Sequence, residues 1–318
     1  MFLGVFSDLV TKISKQTGMS DVAIYIIFGV LVFLVLACLI FLFIIFFRKG
    51  KFKFKHEKKH NDAEENLDIE AKELYDRAME YLDGKKVEYS VENAFLNLKK
   101  AAEKNYPKAF NSLGEIYKNN PKYLNNPLAF EAFKKGAELG DKDAMLNLGI
   151  CYYKGIGVVF NYAKAFEWYK KSYESGNEKA ALYLGYCYYN GDGIGVNYDK
   201  AYDLFIKLAE KDDPKALNQL GTMYLNGEGI AKNPERGYEC FERSARQKDR
   251  TGMFNQAICL FNGVGCTKDF KKAFVLFKKS AELGKKKAMY NLYICYLNGL
   301  GTKKDLDLAE KWKNKCGQ

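Results

Sequence analysis

A 36-residue period constrains this chain of 318 residues more than any other feature. The stretch 144–179 reads as two helix-length segments joined by a glycine-punctuated turn, and adding 36 to its numbers returns the pattern. Gly149 recurs as Gly185 and Gly221, then gives way to Ala257 and Tyr293. Gly155 recurs as Gly191, Gly227, Gly263 and Gly299, and Gly157 as Gly193, Gly229, Gly265 and Gly301. Ala144 returns as Ala180, Ala216 and Ala288, with Gly252 once. A period of this size with helical patterning inside each copy is the signature of an α-solenoid, whose repeats bury their apolar faces against one another. The fold class expected is all-α.

About seven units occupy 69–318. The first is degenerate: Leu74, Ala78 and Tyr81 precede Gly84, and a second helix is expected over Val91–Lys104. The second has Leu113, Gly114 and Tyr117 in register, but its turn is one residue shorter and lacks the paired glycines. Regular units start near 144, 180, 216, 252 and 288, and a Lys-rich helix over about 304–316 closes the array. An irregular first and a basic last unit suit capping repeats, because each end leaves one helix face without a neighbour.

Upstream, Val22 to Phe47 is a run of 26 residues without a charge. As a helix it is about 39 Å long, more than the roughly 30 Å hydrocarbon core of a bilayer. One tilted transmembrane helix over 22–47 is expected. A cleaved signal peptide is the competing reading, but the run is too long for a signal core and no small-residue cleavage site follows it. Residues 1–21 are a short non-cytoplasmic segment, either an interfacial amphipathic helix or a mobile tail. Residues 48–68 are a linker, first basic and then acidic. Arg48, Lys49, Lys51, Lys53, Lys55, Lys58 and Lys59 follow the span, so the positive-inside rule puts the C-terminal side in the cytoplasm, at the plasma or inner membrane. Phe52 and Phe54 alternate with these lysines. The segment, through Arg48, Lys49, Lys51, Lys53 and Lys55, either lies on anionic headgroups or is only a stop-transfer flank.

The net charge of +11 is concentrated in that segment: Arg48–Lys59 hold seven basic residues against Glu57. The remaining excess is spread along helix faces, and no concentrated basic face for tracking phosphates is left, so nucleic acid is not an expected partner. Eight cysteines invite a disulfide framework. Cys151, Cys187, Cys259 and Cys295, however, hold one repeat position. Equivalent positions in stacked repeats lie at least about 8–10 Å apart, and a disulfide needs Cα atoms within about 7 Å. They read as small core hydrophobes in a reducing compartment. His56 and His60, the only histidines, lie in the linker, so no Ser/His/Asp or Cys/His constellation can form in the repeats. Gly191-Asp-Gly193-Ile-Gly195 looks like a phosphate loop, but it follows a helix and recurs as a repeat turn. No enzyme, metal, cofactor or small-molecule substrate is expected.

Within the unit, Ala144, Leu148, Cys151, Tyr152 and Gly155 share one face of the first helix. Gly149 marks a close approach by a neighbouring helix, Gly155 a left-handed helix end, and Gly157 the turn. Ala165, Trp168, Tyr169 and Ser172 form the buried stripe of the second helix, repeated as Ala201, Leu204, Phe205 and Leu208. The pattern carried by Ala144, Leu148, Gly149, Tyr152, Gly155, Gly157, Lys164, Ala165, Trp168 and Tyr169 closely resembles the Sel1-like repeat, a relative of the tetratricopeptide repeat. The resemblance covers roughly 70–316. It implies a right-handed superhelix of antiparallel helix pairs and a role as adaptor or scaffold. Some secreted relatives bridge two cysteines in each repeat; here the pair Cys259/Cys266 shares one.

In such arrays the first helices line the inner surface. There Asn147, Tyr183, Gln219, Asn255 and Asn291 form a column facing away from the core, with Tyr186 close by. Side-chain amides both donate and accept, so a ladder of them can hold an extended protein or peptide partner. Seven residues on, Lys154, Asn190, Asn226, Asn262 and Asn298 form a second column. Four of these five are asparagines followed by glycine, which is ordinary capping chemistry. The reading that results is a membrane-anchored scaffold with a cytoplasmic solenoid. A periplasmic or extracellular solenoid engaging envelope or host components is the alternative, and an enzyme or enzyme inhibitor the remote one.

Overall fold

The computed structural model describes the backbone of residues 2–317, and the side chains within that range except 2–6, 34, 37–40 and 42–66. It divides into a unit of residues 1–70 and a unit of residues 71–318. In the first, α1 (Phe2–Thr17) ends where Gly18 turns left-handed at φ +70°, and α2 (Asp21–Asp83) begins after Ser20, whose hydroxyl accepts from the Ala23 N–H. The segments Ser7–Thr17 and Asp21–Phe33 meet at 115°. Val10 and Ile24 are buried, so the N-terminal residues are helical with a packed face. Among the described residues no single helix is long and apolar enough to cross a membrane; only that bent pair passes on length and composition. The rest of the expected span, at 34, 37–40 and 42–47, lies outside the described side chains. So do Arg48, Lys49, Lys51, Lys53, Lys55, His56 and His60.

The second unit is a solenoid of helix pairs. Its first helices are the end of α2, then α4 (Pro107–Asn119), α6 (Lys142–Lys154), α8 (Glu178–Asn190), α10 (Pro214–Asn226), α12 (Arg250–Asn262) and α14 (Lys286–Asn298). Its second helices are α3 (Val91–Glu103), α5 (Asn126–Glu138), α7 (Tyr162–Glu174), α9 (Tyr198–Ala209), α11 (Pro234–Arg246), α13 (Phe270–Glu282) and α15 (Leu306–Gly317). Among the described residues six apolar clusters make the core, and all are drawn from this unit alone, so the unit carries its own core.

Each helix starts and stops for a local reason. Gly155, Gly191, Gly227, Gly263 and Gly299 cap the first helices at φ of 71–79°, a conformation that costs glycine little, and each N–H donates to the carbonyl four residues back. At the other end of the turn, Asn125, Asn161, Asn197, Asn233, Asp269 and Asp305 cap the second helices. Each side chain accepts the N–H three residues on at 2.8–3.0 Å. Each backbone N–H donates to the preceding first helix, as from Asn161 to the Tyr152 carbonyl at 2.8 Å.

The glycine columns have separate packing roles. A Cβ on Gly149 would stand 2.6 Å from the Tyr169 ring, and Gly114, Gly185 and Gly221 face Phe133, Phe205 and Phe241 in the same way. The close approach is therefore made by the aromatic ring of the unit's own second helix. Ala257 takes the place opposite Phe277, both fully buried. In the last unit the ring changes sides: Tyr293 replaces the glycine, and the ammonium of Lys313, at the ring position, lies 6.0 Å from its centroid. Gly157 acts between units. A Cβ there would fall on the Asn126 carbonyl of the preceding second helix, and Gly193, Gly265 and Gly301 meet Tyr162, Pro234 and Phe270 alike.

Two members of the expected second-helix stripe are corrected. Trp168 and Leu208 are only half-buried, whereas Ala165, Tyr169 and Ser172 are buried. The fully buried Ser172, Ser244 and Ser280 donate to the carbonyls of Lys142, Pro214 and Arg250, at 2.7, 3.1 and 2.6 Å. Each bond ties the second helix to the first turn of its partner. Leu208 stands at the same repeat position and cannot make it.

Candidate functional site

First helices of neighbouring units pack on each other, α4 on α6 and α10 on α12, and no pair of second helices packs as closely. The first helices therefore take the inner side of the array. They are also the more buried set, because each is flanked by helices of both adjacent layers: α10 buries Ala216, Leu217, Asn218, Leu220, Gly221, Met223 and Tyr224.

The column Asn147, Tyr183, Gln219, Asn255 and Asn291 is half-buried at every position. Asn147 donates through Nδ2 to Oδ1 of Asn111 in the unit before, at 2.9 Å, one amide pair between neighbouring units. At the other end, Asn291 turns back to its own helix and donates to the Lys287 carbonyl at 2.9 Å. The Tyr183 ring stacks on Tyr169, with centroids 5.2 Å apart. Tyr186 is half-buried like the column. It packs edge-on to Phe205 at 5.4 Å, and burial pushes its phenol up to about 12.

Around Tyr183 the surface becomes a groove of about 540 Å³. Leu146, Leu182, Leu208 and Pro214 make its apolar wall, and Lys179, Asp212, Asp213 and Lys215 its polar rim. Lys211 bridges to Glu178 at 2.6 Å, and that pair also borders an adjoining groove lined by Tyr173, Ala181 and Leu204. The Lys211 ammonium beside Glu178 holds its carboxyl below the usual range. Arg243 braces the rim, donating to Asp212 at 2.6 Å and to the Ala209 carbonyl at 2.7 Å. Leu208 lines both grooves, at a second helix where the buried serine of three other units is replaced. The arrangement offers an aromatic face, leucine side chains and both donors and acceptors, which suits an extended polypeptide with an apolar side chain.

Of the expected column, only Tyr183 lines this groove; Asn147, Gln219, Asn255 and Asn291 keep equivalent places in the other units. The second column behaves as helix ends. Lys154, Asn190, Asn226, Asn262 and Asn298 are exposed, Asn298 donates to its own helix at the Ile294 carbonyl, and Asn190 to Asp192. Sequence reading missed two polar features. Asn218 is 9% exposed and donates to Asp249, the cap of α12, which also receives the N–H groups of Thr251 and Gly252. Its signal was a polar residue where the other units have Leu146, Leu182, Phe254 and Tyr290. The second-helix caps recur every 36 residues from Asn125 to Asp305 and could have been found by period alone.

The seven described cysteines are free thiols. Burial pushes Cys151, Cys240 and Cys295 up to about 11 and Cys187 and Cys259 up to about 12, so they are inert packing groups.

Residues 74–106, 142–177, 178–213, 214–249, 251–285 and 286–312 each match the Sel1 repeat. The unmatched stretch 107–141 is the unit whose turn lacks the paired glycines. A Sel1 repeat protein from Oxalobacter formigenes is similar in structure, with TM-score 0.71 and 29% identity, over 77% of this chain and 97% of that one. So is c5321, a protective antigen of uropathogenic Escherichia coli, with TM-score 0.65 and 30% identity over 80% of this chain; the match spans only 56% of the antigen. No curated protein sequence matches the chain.

Proposed function

The chain belongs to the Sel1 repeat family, and from that premise we propose that it is a membrane-anchored scaffold that binds an extended segment of a protein partner along its first-helix groove. Sel1 repeat proteins generally bind protein partners. The observation that carries the reading here is the Tyr183 groove, in which an aromatic face, three leucines and a charged rim are held between consecutive units. The uncharged run 22–47 supports the anchor, and the basic residues after it support a cytoplasmic solenoid at the plasma or inner membrane. Binding uses shape, apolar contact and side-chain amides, and calls on no cofactor. Lipid contact by Arg48–Lys55 accompanies the anchor.

One observation favours a second reading. The similarity to a protective antigen suits a solenoid that faces away from the cytoplasm.

The test of binding is affinity capture of the full chain from detergent-solubilised cells, compared with the variant Tyr183→Ala/Asn147→Ala/Asn255→Ala/Asn291→Ala. A partner held by wild type should fall roughly tenfold or more with the variant, at unchanged helicity. Equal recovery would remove the groove from the account.

A further inference from the structure

The residue just before the cap of each second helix forms a column along the turn edge of the array. From the first unit to the last it reads Tyr89, Leu124, Phe160, Val196, Lys232, Lys268 and Lys304. The first four are 61%, 62%, 62% and 54% exposed, and the three lysines are exposed as well. Val159, next to Phe160, is 82% exposed.

A residue in this place can pack on the fourth residue of its helix as a hydrophobic staple. Here the fourth residues are the small and fully buried Ala94, Ala129, Ala165 and Ala201, and the apolar side chains above them stay more than half exposed. Tyr89, Phe160 and Val196 also lie beside the capping glycines Gly84, Gly155 and Gly191, but capping leaves most of each side chain uncovered. No carboxylate stands in the column. Of the nearby acids, Asp192 and Glu228 are engaged by the hydroxyls of Tyr153 and Tyr189 at 2.9 and 2.7 Å, whereas Glu88, beside Tyr89, is exposed. The result is one edge with exposed aromatic and aliphatic groups on four successive units and lysines on the next three. Exposed apolar groups contiguous with lysines are the composition of surfaces that lie in an anionic bilayer interface.

We propose that this turn edge is a lipid-facing surface. Tyr89, Leu124, Phe160 and Val196 enter the headgroup region of an anionic bilayer, while Lys232, Lys268 and Lys304 lie on its phosphates. The solenoid would then lie along the membrane by one edge and leave the first-helix groove open. The inference shares the membrane setting proposed above, and depends on neither the span nor the groove.

The test uses residues 69–318, which hold every core cluster and lack the span, so that any lipid binding comes from the solenoid. The folded fragment, checked by circular dichroism, should float with vesicles of phosphatidylglycerol and phosphatidylcholine and not with phosphatidylcholine alone. Leu124→Ser/Phe160→Ser should lower binding roughly tenfold or more at an unchanged melting temperature. Each of Lys232→Gln, Lys268→Gln and Lys304→Gln should lower it about fivefold. A folded fragment that stays unbound on anionic vesicles would overturn the proposal, as would equal flotation of the Leu124→Ser/Phe160→Ser variant. So would a dimer in sedimentation that this variant dissociates, which would give the edge to a second copy. Loss of partner capture at Tyr183 would leave this result untouched, so the two readings fail separately.

Discussion

Tyr153 donates its hydroxyl to Oδ2 of Asp192, in the turn of the next unit, at 2.9 Å. One repeat later Tyr189 does the same to Glu228 at 2.7 Å. The equivalent places further on hold Leu225 with Val264 and Phe261 with Leu300. The hydrogen bond between units is thus made twice, and the later units have apolar residue types at both of its positions. Tyr153→Phe leaves the carboxylate without this donor and should cost about 1 kcal/mol, read by urea unfolding of the 69–318 fragment.

The same phenol gives a pH dependence. Burial, together with the hydrogen bond to Asp192, pushes Tyr153 up to about 12, above its ordinary value of 10.0. A group raised in the folded state contributes stability that is complete below its unfolded value and is lost as pH rises through the folded one. The melting temperature should therefore fall between about pH 10 and 12, alongside phenolate absorbance, and fall less in Tyr153→Phe. A melting temperature flat across that window would contradict the assignment.

The two inner glycines should respond differently to alanine. Gly149→Ala pushes a ring that Ala257 shows can be accommodated, and should cost about 1 kcal/mol. Gly157→Ala meets backbone and must hold φ at +70°, so at least about 2 kcal/mol is expected. Thermal melts of the two variants give the comparison directly.

These differences mark what could be read in the sequence. The solenoid and its glycine columns were legible because helix period and left-handed φ leave a residue-level signature. The partner of Gly149 was not, because helical spacing identifies a face without saying which ring lies on it. The groove was only partly legible. Tyr183 was found from its column, but Leu208 was assigned to the buried stripe, and the groove depends on its standing half-exposed where three other units bury a serine. The turn-edge column escaped because its residues look like ordinary loop positions until their exposure is known.

Topology follows from thiol chemistry. Burial leaves Cys151, Cys187, Cys240, Cys259 and Cys295 unreactive, so only Cys38, Cys266 and Cys316 need replacement by serine before a cysteine is placed at Asn66. With a membrane-impermeant maleimide, that site should be protected in intact cells and labelled on permeabilisation. Labelling of intact cells would favour the outward-facing solenoid instead.

The most direct test of the central claim is photo-crosslinking in living cells with a benzophenone side chain placed at Tyr183, and in a second strain at Lys170, an exposed position of a second helix. Partner binding in the first-helix groove predicts a discrete crosslinked species from position 183 and none from 170. No product from 183, or the same product from both positions, would contradict it.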